Sequence, residues 1–316
     1  MSRFVSHLGP EFVAFLSFKR AMGYPYVRAE FTLRDFDRFV FARGKRHHFR
    51  LDQVILAWLA SKPDRKPVSV TVELGVIRQF CLHRRRRDPA SFVPGRVWAP
   101  QSTESHFLPY VFTDHEVRQI LKRATLLEPR LRGSVFRTLL VVLYCTGVRF
   151  GEALRLRMKD VDTDGRLLFI TESKGRSRWV PFDRSLARVL EKYLVTRRRL
   201  TSVPDDQFFV GGHGCGLSIQ SASDTVRALL RAVGLKPPVG RVGPRPYDFR
   251  HTFAVNRLTR WYRAGIDVNA RLPWLSAYMG HYNLLGTETY LRATPELLAI
   301  ASRRFERHLV RRRRSP

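Results

Sequence analysis

Acidic residues are scarce in this 316-residue chain, with 27 Asp and Glu against 57 Lys and Arg, and the formal net charge is +30. Such an excess points away from cationic and neutral partners and toward a polyanion, with nucleic acid the leading candidate. Cysteine is nearly absent. Cys81, Cys145 and Cys215 lie far apart without metal-ligand spacing, which excludes a disulfide framework and fits a reducing compartment. Long apolar runs are missing too. The longest, Thr138 to Val148, falls short of the roughly 20 residues that cross a bilayer. The opening residues MSRFVSHLGPEF contain no continuous apolar stretch of the kind a secretory signal needs. What is present is core material: 44% of residues are hydrophobic and 12% aromatic, enough to exclude wholesale disorder.

The apolar spacing predicts an all-α beginning. Phe12, Val13, Phe15, Leu16 and Phe18 cluster at helical intervals after Pro10-Glu11 and stop at Gly23-Tyr24-Pro25. Further helices are expected from Val27 to Arg43, from Leu51 to Lys62 and from Ser69 to Arg84. Four short helices form a small bundle over residues 1–90. A Pro-, Ser- and Gly-rich stretch then reads as a linker over 91–106. A second, mixed domain is expected over 107–308, followed by a basic tail, 309–316. Its start carries Thr113-Asp114-His115-Glu116, the form of a capping box before an apolar helix. A buried helix is expected over Thr138–Cys145, and two strands over Arg166–Thr171 and Ser177–Phe182 around a Lys174-Gly175 turn. Helical segments follow near Leu186–Leu200, Ser221–Val233, Phe249–Arg263, Pro273–Met279 and Pro295–His308. The fold class is mainly α with a small β-sheet.

Four segments of the second domain carry residues suited to phosphodiester chemistry. In Thr146-Gly147-Val148-Arg149-Phe150-Gly151-Glu152 an arginine sits in a tight turn before a helix, a favourable place for a phosphate. Lys174, at a hairpin turn, has the reach of a proton donor to a leaving oxygen. Tyr247-Asp248-Phe249-Arg250 leaves a Gly/Pro-rich basic loop and enters a helix. Gly280-His281 closes another helix, and nine residues after His281 comes Tyr290. Arginine grips phosphate oxygens with a planar fork that stays charged. Each segment alone has an ordinary reading: a surface arginine, a solvated turn lysine, a packing tyrosine.

Together, in this order and spacing, they resemble the catalytic domain of the tyrosine recombinases, the phage integrase family, over about 190 residues from Phe107 onward. The resemblance implies that Tyr290 attacks DNA to form a 3′-phosphotyrosyl link, while Arg149 and Arg250 hold the scissile phosphate. It implies that Lys174 protonates the 5′ oxygen and that His281 donates to a phosphate oxygen. Glu152 would brace the arginine turn rather than act chemically. No metal or nucleotide cofactor is implied. The implied partner is double-stranded DNA with inverted-repeat core sites, bound by a homotetramer or by a mixed assembly with sister recombinases. The implied setting is cytoplasmic and nucleoid-associated, without membrane contact, and the N-terminal bundle matches the family's core-binding domain in size and character. One position departs. Tyr247 stands where the family usually has histidine, and a phenol is a poor general base at neutral pH. His251 is not an obvious substitute, since one residue along a helix turns the side chain by about 100°.

The expected function is site-specific DNA recombination, of the integrase or transposase type, serving a mobile element. Two other readings compete with it. A type IB topoisomerase uses the same set of residues to relax supercoils as a monomer, and a non-catalytic recombinase relative would bind DNA only. The pair His213 and Cys215 has too few partners for a metal site, and Lys174-Gly175 lacks the upstream glycine of a phosphate-binding loop.

Overall fold

The computed structural model describes residues 4–44, 50–100, 109–173, 176–200, 206–211, 214–240, 242–281, 287 and 302. Lys174, His213, Tyr290, the expected helix at 295–308 apart from Ser302, and the basic tail lie outside the described residues. The chain divides into two compact units, residues 1–107 and 108–316. Among the described residues no helix is long and apolar enough to cross a membrane, and no group of metal-ligating side chains gathers.

The first unit is helical: α1 (Gly9–Ala21), α2 (Val27–Ala42), α3 (Leu51–Ala60) and α4 (Pro67–Arg85). Each helix turns one apolar face inward, so that Phe12, Phe15, Phe36, Ile55, Trp58 and Phe80 are buried together, while Phe31 and Phe41 stay exposed. The rings interlock, with Phe12 4.5 Å from Phe80 and Phe36 5.2 Å from Trp58 between centroids. Buried Asp37 accepts hydrogen bonds from the backbone N–H groups of Val5 (2.6 Å) and Ser6 (3.0 Å), which ties the incoming chain to α2. Burial pushes the Cys81 thiol up to about 12, so it packs as a small apolar group and is not a reactive thiol. The stretch expected to be a linker starts as part of this unit. Phe92, Val93, Trp98 and Ala99 pack on the first core, with the Phe92 and Trp98 rings 5.2 Å apart. Two aromatic rings in a Pro-rich stretch give it apolar surface to bury, which composition alone conceals.

The second unit surrounds α6 (Arg130–Thr146), which packs against α5 (Asp114–Thr125), α8 (Arg184–Leu200) and α10 (Asp248–Arg263). Because it is enclosed on several sides, Leu131, Val135, Phe136, Leu139, Leu140, Val142 and Leu143 are all buried. The helix starts eight residues before its expected start at Thr138, its first turns being diluted by arginines. The short α7 (Phe150–Leu154) follows the Gly147 turn. Strands β1 (Val161–Asp162), β2 (Leu167–Ser173) and β3 (Arg176–Pro181) form an antiparallel sheet in that order. Leu168 pairs with Val180 and Ile170 with Arg178, and the register becomes irregular between Ile170 and Ser173. β1 was too short to stand out in the sequence. Helices α9 (Ile219–Ala232) and α11 (Val268–Met279) are the remaining α-helices among the described residues.

The capping box at α5 is formed. Thr113 Oγ1 accepts from the Glu116 N–H (3.3 Å), and Glu116 Oε2 accepts from the Thr113 N–H (2.7 Å). Thr113→Ala removes one partner of this pair and is expected to cost about 1 kcal/mol. Thermal unfolding of the two proteins measures this, and an unchanged midpoint would show the cap to be dispensable.

Candidate active site

The site is built around the C-terminal end of α11. A helix leaves its last carbonyls without intrahelical partners, and here each can be accounted for. Gly280 takes the left-handed conformation (φ 67°), and a Schellman motif follows. In it the His281 N–H donates to Ser276 O and the Gly280 N–H to Ala277 O, both at 3.0 Å. The next three carbonyls each receive a different arginine. Arg178 Nε donates to Tyr278 O (2.8 Å), Arg250 Nη2 to Met279 O (2.7 Å) and Arg149 Nη2 to Gly280 O (2.7 Å). The negative end of the helix dipole attracts all three guanidinium groups.

Arg149 is placed by its turn. Gly147 ends α6 with φ 61°, and a Cβ there would lie 2.3 Å from the Phe253 ring, so no other residue fits. Arg149 is then the N-cap of α7, and Glu152 Oε2 accepts from its backbone N–H at 2.9 Å. The same carboxylate, fully buried, pairs through Oε1 with Arg149 Nη1 (2.6 Å) and accepts both terminal nitrogens of Arg178 (3.2 and 2.8 Å). Glu152 therefore braces the turn, as the sequence suggests.

Arg250 lies in the first turn of α10 and is 1% exposed. Besides Met279 O, it donates through Nη1 to Gly147 O (2.7 Å), and its Nη2 lies 2.9 Å from His281 Nε2. A guanidinium only donates, so His281 Nε2 accepts and the ring proton sits on Nδ1. Nδ1 in turn donates to Thr287 Oγ1 (2.7 Å), a fully buried hydroxyl three residues before Tyr290. Arg149, Arg250 and His281 are thus brought into one network. Among the described residues it brings Arg149, Arg178 and Arg250 together with the Glu152 carboxylate, a positive excess matched to an anion such as phosphate.

Tyr247 is the N-cap of α10 and is 40% exposed. His251, four residues on, shares its helix face, and the two rings meet edge to face at 4.9 Å. Burial, followed by Arg245 and Arg250, drives the His251 pKa down to about 4, so the ring is neutral near pH 7. Its Nε2 lies 3.8 Å from Asp248 Oδ1. Asp248 also accepts from the Arg245 N–H (2.7 Å), and its own pKa is raised, chiefly by burial. Sequence reasoning passed over Arg178, Thr287 and Asp248. Arg178 stood inside a motif already under consideration, but nothing local marked it.

The family model described as the phage integrase family matches residues 111–296. The chain belongs to the phage integrase family. Its members are the tyrosine-type site-specific recombinases, and the chain is an enzyme of that class. A putative integrase/recombinase y4rB of Sinorhizobium fredii is 33% identical over 302 residues, spanning 93% of this chain and 95% of that one. The tyrosine recombinase XerC of Staphylococcus saprophyticus is 26% identical, spanning 77% of this chain and 76% of its own. Among solved structures, XerH on a palindromic difH substrate shares the fold with a TM-score of 0.66 at 18% identity, covering 87% of this chain and 78% of that one. The Tn1549 transposon integrase with transposon right-end DNA gives 0.65 at 15% identity, covering 92% and 98%.

The buried His251 is expected to make this integrase-family site acid-sensitive. A histidine whose folded pKa lies below its unfolded value of about 6.5 holds its stability above that value and loses it as pH falls toward the folded pKa. Between pH 7 and 5.5 this group alone should cost about 1 kcal/mol. The raised pKa of Asp248, which burial causes, acts in the opposite sense. His251→Asn should flatten the fall in melting temperature over that interval, and an equally steep fall in the variant would place the sensitivity elsewhere.

Proposed function

We propose that this enzyme cleaves and rejoins duplex DNA at specific sites through a 3′-phosphotyrosyl intermediate. The observation that carries the reading is the convergence of Arg149, Arg250 and His281 on one helix end. In the proposed step the Tyr290 oxygen bonds to the scissile phosphorus and the bond from phosphorus to the 5′ oxygen breaks. Lys174 delivers the proton to that oxygen. One phosphoester replaces another, so the energy of the broken strand is kept and the reverse attack rejoins it. Arg149 and Arg250 hold the non-bridging oxygens, and charge gathered there in the pentavalent state is met by donors already in place. In the DNA-free protein the Arg250 guanidinium spends one donor on His281. A phosphate would take that donor over, and His281 would then need a proton on Nε2 to donate in its turn.

Tyr247 replaces the histidine usual in the family, so removal of the Tyr290 proton falls to another group or proceeds slowly. Double-stranded DNA with inverted-repeat core sites is the proposed partner. A tetramer on two paired sites, alone or with sister recombinases, is the proposed assembly. The division of labour between a helical core-binding domain and a catalytic domain is proposed likewise, with the remaining basic residues holding the duplex backbone and setting the salt dependence of binding. A mobile-element setting rests on the resemblance to integrases, and inverted repeats flanking the gene would support it.

The test uses a duplex selected from a random-sequence pool by binding to the full chain, nicked beside the cleavage point so that the leaving strand diffuses away. A covalent protein–DNA complex is expected, and Tyr290→Phe should abolish it. Absence of any complex would favour a protein that only binds DNA, and relaxation of supercoils without site preference would favour a topoisomerase. Tyr247→His is expected to speed trapping by about tenfold or more, since a positioned general base contributes on the order of 100-fold or above. Slower trapping would give the phenol a role of its own.

A further inference from the structure

Of the three arginines that the described residues place on the end of α11, Arg178 is the one that the sequence did not single out. Its side chain is 12% exposed, and it touches two elements besides its own strand. Its two terminal nitrogens meet the two oxygens of buried Glu152, on α7, in the forked geometry a lysine cannot reproduce. Its Nε meets the Tyr278 carbonyl at the end of α11. The fit is tight. A Cβ on Gly280 would lie 2.6 Å from Arg178 Nη1, so the glycine before His281 is required both by its φ of 67° and by this guanidinium.

The position on β3 matters as much as the contacts. Ile170 and Arg178 form the last regular pair before the register becomes irregular, so Arg178 stands at the base of the arm that leads to residue 174. We propose that Arg178 is a positioning residue that locks this arm to the Arg149 turn and to the helix end before His281. The proton donor and the phosphate clamps are thereby brought to bear on the same phosphate. The inference rests on the strand-cleavage reading, in which Lys174 is the acid. Loss of Arg178 leaves Glu152 its bonds to the backbone and side chain of Arg149. What is released is the base of the arm, so the effect falls on protonation of the leaving oxygen rather than on grip of the phosphate.

The experiment compares single-turnover cleavage of the selected nicked duplex with that of the same duplex carrying sulfur at the scissile 5′ bridging position. A thiolate leaves without needing a proton, so a defect in the acid disappears on the sulfur substrate. Arg178→Met is expected to slow cleavage of the oxygen substrate by about 100-fold, the lower range of general-acid contributions. It should fall within about tenfold of the unaltered enzyme on sulfur, with the DNA Kd changed by no more than about threefold, and Lys174→Ala should show the same pattern. Should Arg178→Met not fold, Arg178→Lys, which keeps the charge without the fork, carries the same comparison with a loss of about tenfold on oxygen alone. An equal loss on both substrates, or no loss on either, overturns the inference while leaving the cleavage reading intact. No covalent product from the unaltered enzyme on either duplex removes that reading, and this inference with it.

Discussion

The active end of this enzyme depends on one accounting problem, the unpaired carbonyls at the C-terminus of α11. Two are satisfied by a Schellman motif and three by Arg178, Arg250 and Arg149 in succession. Burying cations is costly unless each donor finds an acceptor. Carbonyls at the negative end of a helix dipole supply acceptors without neutralising the charge. Glu152, a carboxylate of this network, is shared between two of the arginines. The outcome is a cluster of fixed guanidinium groups with charge in excess, already oriented before an anion arrives. Preorganisation of that kind is how an active site stabilises developing phosphate charge without reorganising at the moment of reaction.

Two glycines hold this arrangement open. Gly147 lets α6 end against Phe253 and so delivers Arg149, and Gly280 lets α11 end against Arg178 and so delivers His281. Both were visible in the sequence as members of Thr-Gly-x-Arg and Gly-His motifs. The need for glycine comes from a positive φ at each and from a side chain distant in sequence, at 253 in one case and 178 in the other.

The legible part of the site was the part written locally. Arg149 follows a helix stop, Arg250 follows a basic loop, and His281 follows a helix-ending glycine, and the resemblance of their order and spacing to one family grouped them. The capping box at Thr113 was legible for the same reason. Arg178 was hidden because its partners lie 26 and 100 residues away, and a strand arginine in so basic a chain looks like any other. Thr287 was hidden because its role is a single hydrogen bond to a ring that only the fold brings near. In the fold, helix positions followed from apolar spacing, whereas the start of α6 and the packing of Phe92 and Trp98 depended on what surrounds them. His251 is the instructive case. One residue along a helix from Arg250 it seemed misplaced, yet four residues from Tyr247 it meets that ring edge to face, neutral and buried.

In the proposed reaction this cluster of arginines presents one DNA phosphate to Tyr290. Peptide mapping of the covalent protein–DNA adduct, after nuclease digestion, tests that most directly. The residual nucleotide should be found on Tyr290, joined through its 3′ phosphate, with a free 5′ hydroxyl on the released strand. A nucleotide on any other residue, or one joined through a 5′ phosphate, would contradict it.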